Sequence, residues 1–168
     1  WFLNAGDQFF SPMSLGQGVD AIRLSKVSLV VGGYQVAPKD KSKAHIFREK
    51  NLRVFQFSFN RRGGCHQAMI FDTSIIKSIG GFDLQYDLAS DFDLVLRILK
   101  ITVAKRIAVA LAIIEPGGLA DSNLNKVFLE KHKIRKSINS DGVTRLSSSI
   151  WTGMARTSKY LKNSKIFG

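Results

Sequence analysis

The chain is poor in cysteine, with Cys65 alone, poor in proline, with three, and has no apolar run longer than residues 107–114. A single thiol excludes an internal disulfide and fits a reducing compartment. The apolar run falls far short of the roughly 20 residues that cross a bilayer as a helix. Acidic residues are also scarce: 13 Asp and Glu stand against 25 Lys and Arg, a formal charge of +12. That excess favours polyanionic partners such as nucleic acid, an anionic lipid surface or a phosphorylated substrate. It is densest near the end, where Lys126, Lys131, Lys133, Arg135, Lys136, Arg145, Arg156, Lys159, Lys162 and Lys165 face only Glu130 and Asp141. The aromatic and glycine pattern of an RNA or single-strand binder is missing, as is metal-finger spacing, so nucleic acid is not an expected partner. A cytoplasmic location is expected, with peripheral contact at the inner membrane face left open.

What is present suits one domain: 168 residues with 45% apolar content can bury a sizeable core. Trp1–Leu3 reads as the end of a buried strand and Asn4–Asp7 as the turn leaving it. Helical spacing of Leu15, Val19, Ala21 and Ile22 predicts a helix over 12–25, followed by a core strand over 27–36 broken at Gly32-Gly33. A polar, basic stretch over 37–49 reads as an exposed loop, and alternating Phe55, Phe57 and Phe59 as a half-buried strand. After the basic turn Asn60–Gly64, residues 65–71 read as a strand carrying His66 and Gln67. A short helix over 73–79 closes at Gly80-Gly81. Phe92, Val95, Leu96 and Leu99 mark a helix over 91–101 with Ser90 or Asp91 as its cap. Residues 103–114 read as one or two core strands, and Ser122 starts an amphipathic helix. A basic amphipathic tail is expected over 141–168, so residues 1–140 form the domain proper.

Chemistry concentrates in two acidic places. Asp7 lies where the chain leaves a strand, the edge at which open α/β sheets bind ligands. Asp91 stands at a helix mouth, as a cap or as a carboxylate held rigidly enough to be a general base.

In order, Phe2-Leu3-Asn4-Ala5-Gly6-Asp7, Cys65-His66-Gln67-Ala68, Gly80-Gly81-Phe82-Asp83 and Ser90-Asp91-Phe92-Asp93-Leu94 resemble family 2 glycosyltransferases. The likeness covers about residues 1–135 and is greatest to the bacterial branch that builds exopolysaccharides of colanic-acid type. The resemblance implies an α/β, GT-A-like mixed sheet flanked by helices, of which the N-terminal nucleotide-binding strands do not precede Trp1. It implies inverting transfer of a sugar from a nucleoside-diphosphate donor to a glycan or lipid-linked acceptor hydroxyl. It places Mg²⁺ or Mn²⁺ and the diphosphate at Asp7 and Asn4, although the family more often has aspartates where Asn4 and Gly6 stand. It makes Asp91 the base, with Ser90 replacing a usual glutamate, and puts His66, Gln67 and Ser90 near substrate; Arg62, in the basic turn, is a further candidate for contact with diphosphate or an acidic acceptor. Two other readings fit the sequence: a non-catalytic remnant of that fold, and a basic module binding polyanions or membranes.

Overall fold

The computed structural model describes residues 1–37, 45–48, 57 and 65–138. Within them the chain is an α/β fold, a five-stranded mixed sheet flanked by helices, compatible with a GT-A-like domain. The expected basic tail over 141–168, Arg62 and the turn around it lie outside the described residues.

The centre of the sheet is β2 (Leu29–Val36), parallel to β5 (Ala104–Ile114). Leu29, Val30 and Val31 are fully buried, as a β-branched run between two covered faces demands. On its other side β2 pairs antiparallel with β4 (Met69–Phe71) along its first half and with β3 (Ile46–Arg48) along its second. A two-residue strand, β1 (Gln8–Phe9), adds antiparallel to the outer edge of β5. The β2–β5 register shifts on either side of Gly33, so the expected break at Gly32-Gly33 is a bulge within one continuous strand.

Helix α1 (Ser14–Ser25) lies beside β5 and β2 on its small residues. Ser14 and Gly18 are its buried positions, while Leu15 is exposed and Val19, Ala21 and Ile22 are half-buried. The apolar stripe expected to face the core is therefore displaced: only the lack of side chain at Gly18 admits Ile70 and Leu111 so close. Trp1–Leu3 form no strand. Their aromatic rings pack instead, Trp1 against Phe9 and Phe2 between Phe71 and Phe82. Two strands went unread, since β1 is too short and exposed to leave a pattern and β3 sits inside a stretch dominated by charge.

Helix α2 (Thr73–Ser78) is capped by Asp72, whose carboxylate accepts the Ser74 amide at 2.8 Å. It ends as the glycine pair predicts. The Gly81 amide donates to the Ile76 carbonyl and the Gly80 amide to Lys77, with φ of +74° and +79°, a Schellman closure. Helix α3 (Ser90–Ile101) buries Phe92, Leu94, Val95, Leu96, Ile98 and Leu99 in the principal core with Leu29, Val31, Met69 and Phe71. After β5 come a single turn, α4 (Leu119–Ser122), and α5 (Leu124–Ile138), which packs on α3. Phe57, expected on a strand, is helical, fully buried and stacked on Phe92 at 5.6 Å.

Candidate active site

Asp7 is held by a turn that its own carboxylate closes. The Asp7 amide donates to the Asn4 carbonyl at 3.1 Å, and the Asn4 amide donates back to Asp7 Oδ2 at 3.0 Å. Asn4 thus contributes its backbone to the turn. Gly6 has φ +92°, and a Cβ there would lie 3.1 Å from Glu115 Cβ. A side chain at that position would be strained. Two donors from distant parts of the chain complete the arrangement. The Glu115 amide donates to Asp7 Oδ1 at 3.0 Å, and Gln67 Nε2 donates to Oδ2 at 3.2 Å.

Gln67 does not lie on a strand. His66–Ala68 form a 3₁₀ turn directly before β4, closed by the Ala68 amide on the Cys65 carbonyl at 3.0 Å. The expected strand is shortened to Met69–Phe71 because this turn diverts the chain before it meets β2. The turn is anchored from outside: the Trp1 indole N–H donates to the Gln67 carbonyl at 2.7 Å, and the Cys65 thiol donates to Gln67 Oε1 at 3.3 Å.

The neighbouring residue reaches the other acidic place. His66 Nδ1 lies 2.8 Å from Asp91 Oδ2. Consecutive side chains of one turn, His66 and Gln67, therefore hold Asp91 and Asp7 respectively. Asp91 Oδ1 accepts the Phe92 amide at 2.7 Å. Burial works against the charge of Asp91. The His66 hydrogen bond and charge, the Phe92 amide and the Lys131 ammonium outweigh it and hold the carboxyl below the usual range. Asp91 is ionised at neutral pH.

The start of α3 is built differently from the expectation that Ser90 or Asp91 caps it. The cap position is Ala89, which has no capping side chain, and Ser90 is the first helical residue. The preceding amides, Leu88 and Ala89, both donate at 2.9 Å to Oε2 of Glu130, a buried carboxylate on α5. Glu130 thus ties down the residues that lead into α3, while Asp91 itself accepts a first-turn amide. From the same helix, Lys131 Nζ and Arg135 Cζ lie 5.0 and 5.2 Å from the Phe92 ring centroid. Burial pushes the Lys131 ammonium down, Asp91 raises it and Arg135 lowers it, for a net fall.

A second clamp fixes the loop between α2 and α3. Arg97 donates through Nε to Asp93 Oδ2 at 2.7 Å, and through its two terminal nitrogens to the Ile79 and Gly81 carbonyls at 2.8 and 2.6 Å. Asp93 is buried, which pushes its carboxyl up despite the arginine. The i,i+4 spacing of Asp93 and Arg97 was visible in the sequence as a helix-surface pair; that it faces inward was not. Glu130 left no local signal, because its partners lie about 40 residues away in sequence.

Among the described residues no group of three or more His, Cys, Asp or Glu comes together in a way that could hold a metal ion. Among them no helix is long and apolar enough to cross a membrane.

No family model matches the chain. Two uncharacterized glycosyltransferases of Mycobacterium tuberculosis, one from each of two strains, are 27% identical to it over 100 residues. The match covers 58% of this chain and 37% of each of those proteins, so the chain spans well under half of their length. The similarity supports a relationship to glycosyltransferases at that general level.

Proposed function

We propose that the chain acts as a family 2-like, inverting glycosyltransferase that moves a sugar from a nucleoside-diphosphate donor to a hydroxyl. The observation that supports it most is the linkage through one turn: His66 engages Asp91 while Gln67 engages Asp7. A single-displacement transfer needs a place for the departing diphosphate and a group that accepts the acceptor's proton on the opposite side. Asp7 serves the first need and the Asp91–His66 pair the second. The resemblance to mycobacterial glycosyltransferases favours this reading over a basic module for polyanions.

Mg²⁺ or Mn²⁺ commonly binds through one or two carboxylates plus substrate phosphates and water. Asp7 Oδ1 accepts a single amide and keeps a lone pair, which fits such a shared site although no cluster of ligands surrounds it among the described residues. The cation would offset charge developing on the diphosphate. The chain's own residues do the rest. Gln67 and the Glu115 amide fix the Asp7 carboxylate, and Asp91 is placed by the first turn of α3. A glycan or lipid-linked acceptor in bacterial polysaccharide synthesis fits the branch resembled, presented in the cytoplasm or at an anionic inner membrane face. Arg62 and Ser90 belong to the proposed substrate-contacting set.

The test is incubation with Mn²⁺ and a panel of UDP- and GDP-sugars, reading released nucleoside diphosphate and the anomeric configuration of the product by NMR. Release with inversion is expected. No binding and no turnover of any donor would overturn the proposal, and retention would overturn the single displacement.

A further inference from the structure

We propose that His66 and Asp91 form one catalytic dyad in which His66 Nε2 takes the acceptor's proton and Asp91 orients the ring. This deepens the glycosyltransferase reading and rests on it. The sequence alone had assigned the proton to Asp91.

Three observations carry the reassignment. First, each Asp91 oxygen already has a close partner, Oδ2 the His66 Nδ1 at 2.8 Å and Oδ1 the Phe92 amide at 2.7 Å. Hydrogen bonds donated to a carboxylate favour its charged form and make it a poorer proton acceptor. Second, the contact to Asp91 is made by Nδ1, which fixes the neutral ring as the tautomer protonated there. Nε2 then carries the lone pair, and among the described residues no hydrogen bond to it is formed. The His66 side chain is 19% exposed, so the ring is not sealed in the core. Third, both members are mounted rigidly. His66 belongs to the 3₁₀ turn that Trp1 and Cys65 pin, and Asp91 to a helix start preceded by residues tied down by Glu130. A ring held through one nitrogen by an anionic carboxylate, with the other nitrogen open, is the arrangement that makes imidazole an oriented base.

The step balances without a further reactant. The acceptor O–H bond breaks and its proton moves to Nε2. The freed oxygen pair forms the bond to the anomeric carbon, and the pair of the old carbon–oxygen bond leaves with the nucleoside diphosphate. The imidazolium so formed faces the Asp91 carboxylate, which stabilises it.

His66→Asn separates the two roles, because its amide can still donate to Asp91 yet has no imidazole nitrogen to accept a proton. Measured with the full chain on a turned-over UDP- or GDP-sugar, kcat should fall at least about 100-fold while affinity for the nucleoside diphosphate changes less than about threefold. In His66→Ala, imidazole added to the buffer should restore part of kcat. If His66→Asn keeps near-normal kcat while Asp91→Asn loses it, Asp91 is itself the base and the dyad is overturned, with the transferase intact. Failure of imidazole to rescue His66→Ala also overturns the dyad, whatever the folding of His66→Asn. Absence of turnover by the unmodified chain with every donor overturns the dyad and the transferase together.

Discussion

Gly32 and Gly18 show how much a single side chain decides in this molecule. A Cβ at Gly32 would lie 2.5 Å from Leu111 Cγ and 2.7 Å from the Val109 carbonyl oxygen, and the backbone of β5 cannot yield. At Gly18 the conflict is with the end of the Ile70 side chain, which can turn away. Gly32→Ala should therefore cost about 2–3 kcal/mol and Gly18→Ala clearly less, measured by urea unfolding. Asp72 offers a titratable counterpart. The Ser74 amide and hydroxyl hold its carboxyl below the ordinary value. The stabilisation it gives is present above the unfolded carboxylate pKa and is lost as pH falls through the lowered folded value. Asp72→Ala should cost about 1 kcal/mol at pH 7 and almost nothing in strong acid.

Between elements, the loop and helix that present Asp91 are held by two buried carboxylates with opposite designs. Asp93 is paired, through Arg97, with the carbonyls that end α2. Arg97→Ala would leave Asp93 buried without its cation, at a cost of about 3 kcal/mol at neutral pH. Burial then pushes the Asp93 carboxyl further up. A raised folded pKa favours folding in acid, so the loss should shrink as pH falls below that value and grow as pH rises through it, visible as a pH-dependent shift in Tm. Glu130 acts across the core on the Leu88 and Ala89 amides. Glu130→Ala leaves both amides unsatisfied, and about 2–3 kcal/mol of stability should go with them. Because it loosens the start of α3, kcat should fall more than donor affinity does.

Over the whole molecule, the parts legible in sequence were those with local causes. Periodicity marked α1, β2, α3, β5 and α5, and the glycine pair marked the end of α2. Asp7, His66, Gln67 and Asp91 were singled out by type and order, and the fold gathers them through one short turn. What stayed hidden depends on long-range contact. The 3₁₀ turn at His66–Ala68 is anchored by Trp1 from the other end of the chain, the residues leading into α3 are anchored by α5, and β1 and β3 are strands only because β5 and β2 receive them. The small-residue face of α1 was hidden for a similar reason: the sheet, rather than the helix pattern, decides which side it accepts. The dyad geometry, too, was beyond sequence, since nothing local tells which nitrogen of His66 meets Asp91.

Asp91 is the residue on which both the transferase and the dyad depend. The most direct measurement is kcat for nucleoside-diphosphate release by Asp91→Asn beside calorimetric donor binding by the same variant. With Asp91 in the proton-accepting machinery, kcat falls about 100- to 10,000-fold while donor affinity stays close to that of the unmodified chain. Normal turnover in Asp91→Asn would contradict it.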